Sequence, residues 1–177
     1  MKVNLKHLDV VECSADALIY STNVLLNCSG GVGSTLMTRY GNHIQSDLHQ
    51  LLQAAGKKFA SRGDVYEFVS EGMPYKMVFH TVPCDGFYET SREIVTEIMV
   101  KCLNRCVELG EIRSIAISAL ASGYGNMEVS EFLQISSEVL SRSKYGLIES
   151  ATICIYDEYL FDQACQQITQ EGLKIGF

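Results

Sequence analysis

The sequence predicts an α/β fold of three layers, a mixed sheet of about six strands between helices. Three observations predict it. Short apolar runs rich in β-branched residues alternate with longer segments of helical period along all 177 residues. Four of the runs, residues 65–69, 77–82, 114–120 and 151–156, are almost uninterrupted in their apolar character, as expected of strands covered on both faces. Finally, the two prolines, Pro74 and Pro83, fall at the margins of these runs and not inside them.

In chain order, residues 3–11 and 17–22 read as strands. Residues 31–40 and 43–56 read as helices, the first opening directly from a glycine-rich loop. Strands follow at 65–69 and 77–82. The helix at 91–109 has the plainest period: Ile94, Val95, Ile98, Met99, Cys102, Leu103, Cys106 and Val107 recur at spacings of three and four. Ser91 is placed to cap its start and Gly110 its end. A strand at 114–120, a serine-rich helix at 129–143, a strand at 151–156 and a helix at 159–170 complete the chain. The stretch from Gly86 to Ser91 reads as a surface loop carrying Phe87 and Tyr88, to which periodicity assigns no role.

Composition narrows the function. With 47% apolar residues the chain can bury a substantial core, and no apolar run approaches the roughly 18 residues of a membrane span. The N-terminus lacks the apolar stretch of a signal peptide, so the expected location is the cytoplasm and no membrane contact is expected. Seven cysteines are scattered without CxxC spacing, which argues against a disulfide framework or structural zinc; no metal site and no cofactor are expected. A formal charge of −7 argues against charge-driven binding to long nucleic acid. A small anion remains compatible with that charge if backbone amides hold it.

Two loops suggest such an amide site. A buried strand ending in Tyr20-Ser21-Thr22-Asn23 leads through Cys28 into Ser29-Gly30-Gly31-Val32-Gly33-Ser34, which opens a helix. Backbone amides free of side chains and a helix N-terminus favour an anion there. No Gly-Lys-Ser/Thr follows, so the loop is not the lysine-bearing nucleotide loop. On its own the cluster reads equally well as a tight turn. A second loop, Ala121-Ser122-Gly123-Tyr124-Gly125-Asn126, follows the strand at 114–120. Two such loops at strand C-termini fit a crevice at one sheet edge, where they could clamp a pyrophosphate.

These segments resemble the macro domain family, the ADP-ribose-binding fold, from about Asp9 to Asp157. Ala15-Asp16-Ala17-Leu18-Ile19-Tyr20-Ser21-Thr22-Asn23 is similar to the family's V-D-A-I-V-N-A-A-N, and Ser29-Gly30-Gly31-Val32 to its G-G-G-V. Phe79-His80-Thr81-Val82 is similar to its I-H-T-V strand. The segment from Ile115 to Gly125 is similar to I-A-F-P-A-[IL]-[GS]-[TA]-G-[IV]-[YF]-G, and Ile155-Tyr156-Asp157 follows the last strand. The chain departs in Ser29, in Tyr20-Ser21-Thr22, and in Gly123-Tyr124-Gly125, which is one residue shorter than the family pattern. It resembles a divergent bacterial branch.

The resemblance implies a single macro-like domain over residues 1–177 that binds ADP-ribose or a related nucleotide diphosphate, free or carried on a macromolecule such as an ADP-ribosylated protein. It gives Asp9 the adenine amino group, Tyr156 the adenine face and Asn23 the distal ribose. Gly30, Gly31 and Val32 would take one side of the pyrophosphate, and Ser122, Gly123 and Tyr124 the other. Val10, Ser29, Gly33, Ala121, Gly125 and Asn126 complete the expected set. MacroD-type hydrolases carry Asp where this chain has Gly33, and Gly cannot act as a base. The lysine-nucleophile branch would need Lys76 together with an Asp in the second loop, where this chain has Asn126. The catalytic residues are therefore not assigned; Asp85 and Ser34 are the remaining candidates. The alternative to a binding module is an ADP-ribosyl hydrolase or acyl-ADP-ribose deacylase that activates water with the substrate itself. A third class is a nucleotide or RNA-end binder with another ligand.

Overall fold

The structure, a computed structural model, describes residues 1–177. Its strands are β1 (Lys2–His7), β2 (Ala17–Ser21), β3 (Val65–Glu67), β4 (Met77–Thr81), β5 (Ser114–Ser118) and β6 (Ser150–Ile155). Its helices are α1 (Gly31–Tyr40), α2 (His43–Ala54), α3 (Arg92–Leu109), α4 (Val129–Leu140) and α5 (Glu158–Glu171). The strands form one sheet in the order β1-β6-β5-β2-β4-β3, parallel throughout except for the antiparallel edge strand β3. This is the mixed six-stranded α/β architecture that the alternation of runs predicts.

Side chains alternate along each central strand and so sort into two cores. Ala17 and Ile19 of β2, Phe79 of β4, Ile115 and Ile117 of β5 and Ile153 of β6 join α3, α4 and α5 in a cluster of 32 buried residues. Leu18, Tyr20, Val78, Ala116 and Cys154 point the other way, into a cluster of 18 with α1 and α2. The sheet is thus the middle of three layers. In-register parallel pairing brings the C-terminal ends of β6, β5, β2 and β4 to one edge. That edge is where an α/β sheet offers a crevice. No helix is long and apolar enough to cross a membrane.

Three local expectations are corrected. β1 stops at His7: Asp9 caps a single 3-10 turn, Val10–Glu12, by accepting from the Val11 amide at 3.0 Å, which turns the chain out of the sheet. β3 is not covered on both faces but is a short, partly exposed edge, closed on one side by the Arg105–Glu67 ion pair at 2.7 Å. The strands buried along nearly their whole length are β2 and β4. Helix α4 ends at Leu140, and residues 143–145 form a separate turn.

His80 lies wholly inside β4 with both ring nitrogens engaged. Nδ1 is 2.7 Å from the Tyr20 hydroxyl and Nε2 is 3.0 Å from the Phe68 carbonyl. A carbonyl only accepts, so Nε2 carries the proton and Nδ1 accepts from Tyr20. Burial pushes the imidazole pKa down to about 4. The unfolded chain, with an ordinary value near 6.5, therefore binds the proton first as pH falls. Stability should be full above pH ~6.5 and decline by about 3 kcal/mol on the way to pH ~4. Denaturant melts across that window, with an imidazole NMR titration, check this; a flat profile would contradict it.

Candidate functional site

A cleft of about 690 Å³ runs along the C-terminal edge of the sheet, across the tips of β6, β5, β2 and β4. Its β6 end holds Leu8, Asp9, Val10 and Tyr156. Its middle holds the two glycine loops, and its β4 end holds Pro83, Cys84, Asp85 and Tyr88. The charged residues in its lining are Asp9, Asp85 and Asp157; no Lys or Arg reaches it. Arg62 approaches only from outside, 3.5 Å from Asp85, so within the lining itself positive potential comes from main-chain N–H groups.

Those groups are present on both sides. In the first loop the Ser34 amide bonds back to the Gly30 carbonyl at 3.3 Å, so the amides of Gly31, Val32 and Gly33 precede the first intrahelical bond of α1. The loop is held from behind by Gln45 of α2, whose Oε1 accepts from the Cys28 amide at 2.7 Å and whose Nε2 donates to the Leu26 carbonyl at 3.0 Å. In the second loop the amides of Gly123, Tyr124 and Gly125 donate to no group of the protein. This loop is pinned to β2, because the Ala121 amide donates to Ser21 Oγ at 3.1 Å while Ala121 sits at φ +60°. A buried residue held in that region marks a turn fixed by its surroundings.

Two glycines are required by close approach. A Cβ on Gly33 would lie 2.8 Å from Cys28 Cα, and one on Gly125 would collide with the Ala121 carbonyl oxygen and lie 2.6 Å from Cys84 Sγ. Gly33 is therefore a packing glycine at the base of α1. Tyr124 spans the middle of the cleft, its hydroxyl only 2.8 Å from where a Gly30 Cβ would stand.

All of the expected binding residues line the cleft except Asn126. Its Oδ1 instead accepts from the Thr90 amide at 2.9 Å, tying the second loop to the loop after β4. Asn23 lines the cleft, but its side chain is largely committed to its own loop. Oδ1 accepts from the Leu25 and Asn27 amides, each at 3.0 Å, and Nδ2 donates to the Asn27 carbonyl at 3.0 Å. One N–H of the amide remains for a ligand. Asp9 Oδ2 accepts from Thr35 at 3.1 Å, and Tyr156 is 77% exposed, presenting an open ring face.

The two catalytic candidates fare poorly. Ser34 is not in the lining. Asp85 is in the lining, but its Oδ1 accepts from the Phe87 and Glu89 amides, and those bonds hold its carboxyl below the usual range. A carboxylate stabilised in that way is a poor base. Lys76 pairs with Asp16 at 2.9 Å at the opposite edge of the sheet. The thiols in the lining are no better as nucleophiles: burial pushes Cys84 up to about 11, and the bond to Cys13 raises Cys154.

The cleft lining also takes in Thr22, whose buried Oγ1 has no hydrogen-bond partner, and Asn27, Thr35, Pro83, Cys84 and Tyr88, none of them expected there from the sequence. Strand-end positions such as Pro83 follow from placing the crevice at the parallel strand tips. Tyr88 follows from nothing local.

Known proteins share this fold and family. A curated O-acetyl-ADP-ribose deacetylase of Salmonella newport is 24% identical over 168 residues, covering 93% of this chain and 92% of the relative. An uncharacterized protein of Mycobacterium tuberculosis is 22% identical over 158 residues, covering 89% of this chain. The chain spans only 42% of that relative's length. Among solved structures, the Oceanobacillus iheyensis macrodomain with ADP superposes with a TM-score of 0.81 at 14% identity, over 97% of this chain and 92% of that one. The family model of the Macro domain matches residues 19–136, from inside β2 into α4 and so across both glycine loops. By that match the chain belongs to the Macro domain family.

Proposed function

We propose that the protein binds ADP-ribose, free or attached to a macromolecule, with the pyrophosphate between the two glycine loops. The observation that carries this reading is the pair of unengaged amide sets, Gly31 to Gly33 and Gly123 to Gly125, facing one cleft without a cationic side chain. An acidic protein can hold a dianion in this way, since amides and the α1 dipole supply local positive potential. Asp9 at the β6 end would accept from the adenine amino group while Tyr156 covers the ring. The relatives support the ligand class: one is named for O-acetyl-ADP-ribose and one structure holds ADP.

Calorimetry tests it. ADP-ribose should bind with a Kd in the micromolar range, about −8 kcal/mol, and AMP much more weakly because it lacks the pyrophosphate and second ribose. Equal affinities would contradict the clamp. Since no Lys or Arg contacts the anion, affinity should hold steady or tighten slightly between about 50 and about 200 mM salt, opposite to counterion-release binding. A steep loss with salt would point to a different, side-chain site.

Hydrolysis is the second reading, favoured by the deacetylase relative alone. The carboxylates of the cleft are already engaged: Asp9 by Val11 and Thr35, Asp85 by Phe87 and Glu89, Asp157 by the Leu160 amide. A positioned general base contributes about 10²–10⁴-fold. Turnover of an ADP-ribosylated Asp or Glu should therefore be slow, limited to water activated by a ligand phosphate oxygen.

A further inference from the structure

Tyr88 lies at the β4 end of the cleft, in the loop that follows that strand. Its backbone has φ +64°, a region that bulky residues rarely adopt. Two other non-glycine residues share it, Leu26 and Ala121, and both are buried, at 0% and 3% exposure; Tyr88 is 52% exposed. Its strain is therefore not offset by burial of its own side chain, and a glycine or asparagine would suit the backbone better.

The surrounding loop nevertheless fixes this conformation. Asp85 Oδ1 accepts from the Phe87 and Glu89 amides at 2.9 and 3.1 Å. The Tyr88 amide donates to the Asp85 carbonyl at 3.1 Å, and Arg62 donates to the Glu89 carbonyl at 3.2 Å. The second glycine loop joins in: the Asn126 amide donates to the Tyr88 carbonyl at 3.2 Å, and Asn126 Oδ1 accepts from Thr90. The ring so placed stands 6.4 Å from that of Tyr124, tilted by 46°. Tyr124 itself reaches back over Gly30 and so covers the middle of the cleft. The aromatic face beyond the phosphate loops is then supplied by Tyr88.

We infer that Tyr88 is the platform for the sugar carried on the second phosphate, so that a residue outside both glycine loops sets the preference for ADP-ribose over ADP. The apolar C–H face of a furanose packs on the electron-rich face of a phenol ring. The backbone strain is the device that turns the ring toward the cleft. This rests on the ADP-ribose reading above.

The test compares Kd values for ADP-ribose and for ADP in the wild type and in Tyr88→Gly, Tyr88→Asn and Tyr88→Phe, with a thermal melt of each. Gly and Asn relieve the strained φ, so their Tm should be unchanged or higher, while the preference for ADP-ribose falls about tenfold and ADP affinity stays within about twofold. Phe keeps the ring and should keep the preference. An unchanged preference in both Gly and Asn variants overturns the inference, as does a wild type that binds ADP and ADP-ribose equally. A wild type that binds neither nucleotide fails the ADP-ribose reading itself, and this inference with it.

Discussion

Gly123→Glu should abolish ADP-ribose binding in a protein that stays folded. A Cβ at Gly123 meets nothing within 4 Å, its φ is not in the left-handed region, and its amide has no protein partner. The substitution therefore leaves the fold alone while placing a carboxylate where a diphosphate would meet the amides. Two like charges at ~4 Å repel by ~4 kcal/mol at the effective dielectric of a protein surface, which corresponds to an affinity loss of several hundredfold or more. Calorimetry beside circular dichroism measures both halves. Gly31→Glu aims at the same anion but is the poorer probe, because Gly31 has φ +50° and any L residue there is strained. A folded Gly123→Glu with wild-type affinity would remove the second loop from the site.

Gly33→Asp should damage the protein and not convert it into a hydrolase. Gly33 is where MacroD-type enzymes are expected to carry their Asp, and from the sequence alone the substitution looks like a gain of a base. The packing says otherwise. The new Cβ would lie 2.8 Å from Cys28 Cα and 3.2 Å from Cys28 Cβ, and the position is buried. The obstacle is backbone, held in place by the Cys28 amide's bond to Gln45, so the first glycine loop must move. Overpacking together with a buried carboxylate costs about 2–4 kcal/mol, and Tm should fall by roughly 5–15 °C. ADP-ribose affinity should fall as well, since the displaced loop carries one of the two amide sets. A Gly33→Asp protein as stable as the wild type that hydrolyses an ADP-ribosylated carboxylate would show that the loop accommodates a base.

The layered sheet was legible because burial on both faces writes itself into a run. Ile115 to Ile117 and Ile153 to Ile155 must be apolar on both sides, and α3 shows its buried stripe from Val95 to Cys106. The edge was less legible. β3 looks as apolar as a central strand, yet its position at the sheet margin, which is a property of topology, leaves it half exposed. The cleft's middle was read from glycines, whose amides and close approaches are local facts. Its β4 end was not, because the placement of Tyr88 depends on Asn126, 38 positions away, and on the Asp85 turn. Asn126 stands outside the cleft lining for the same reason: its partner Thr90 lies on another loop.

A crystal structure grown or soaked with ADP-ribose would show whether main-chain amides of the two loops hold the pyrophosphate. Phosphate oxygens should lie within about 2.7–3.2 Å of amides from both Gly31–Gly33 and Gly123–Gly125, with adenine against Tyr156, its amino group on Asp9, and no Lys or Arg in contact. Phosphates held by side-chain cations, or ligand bound away from this sheet edge, would contradict the clamp.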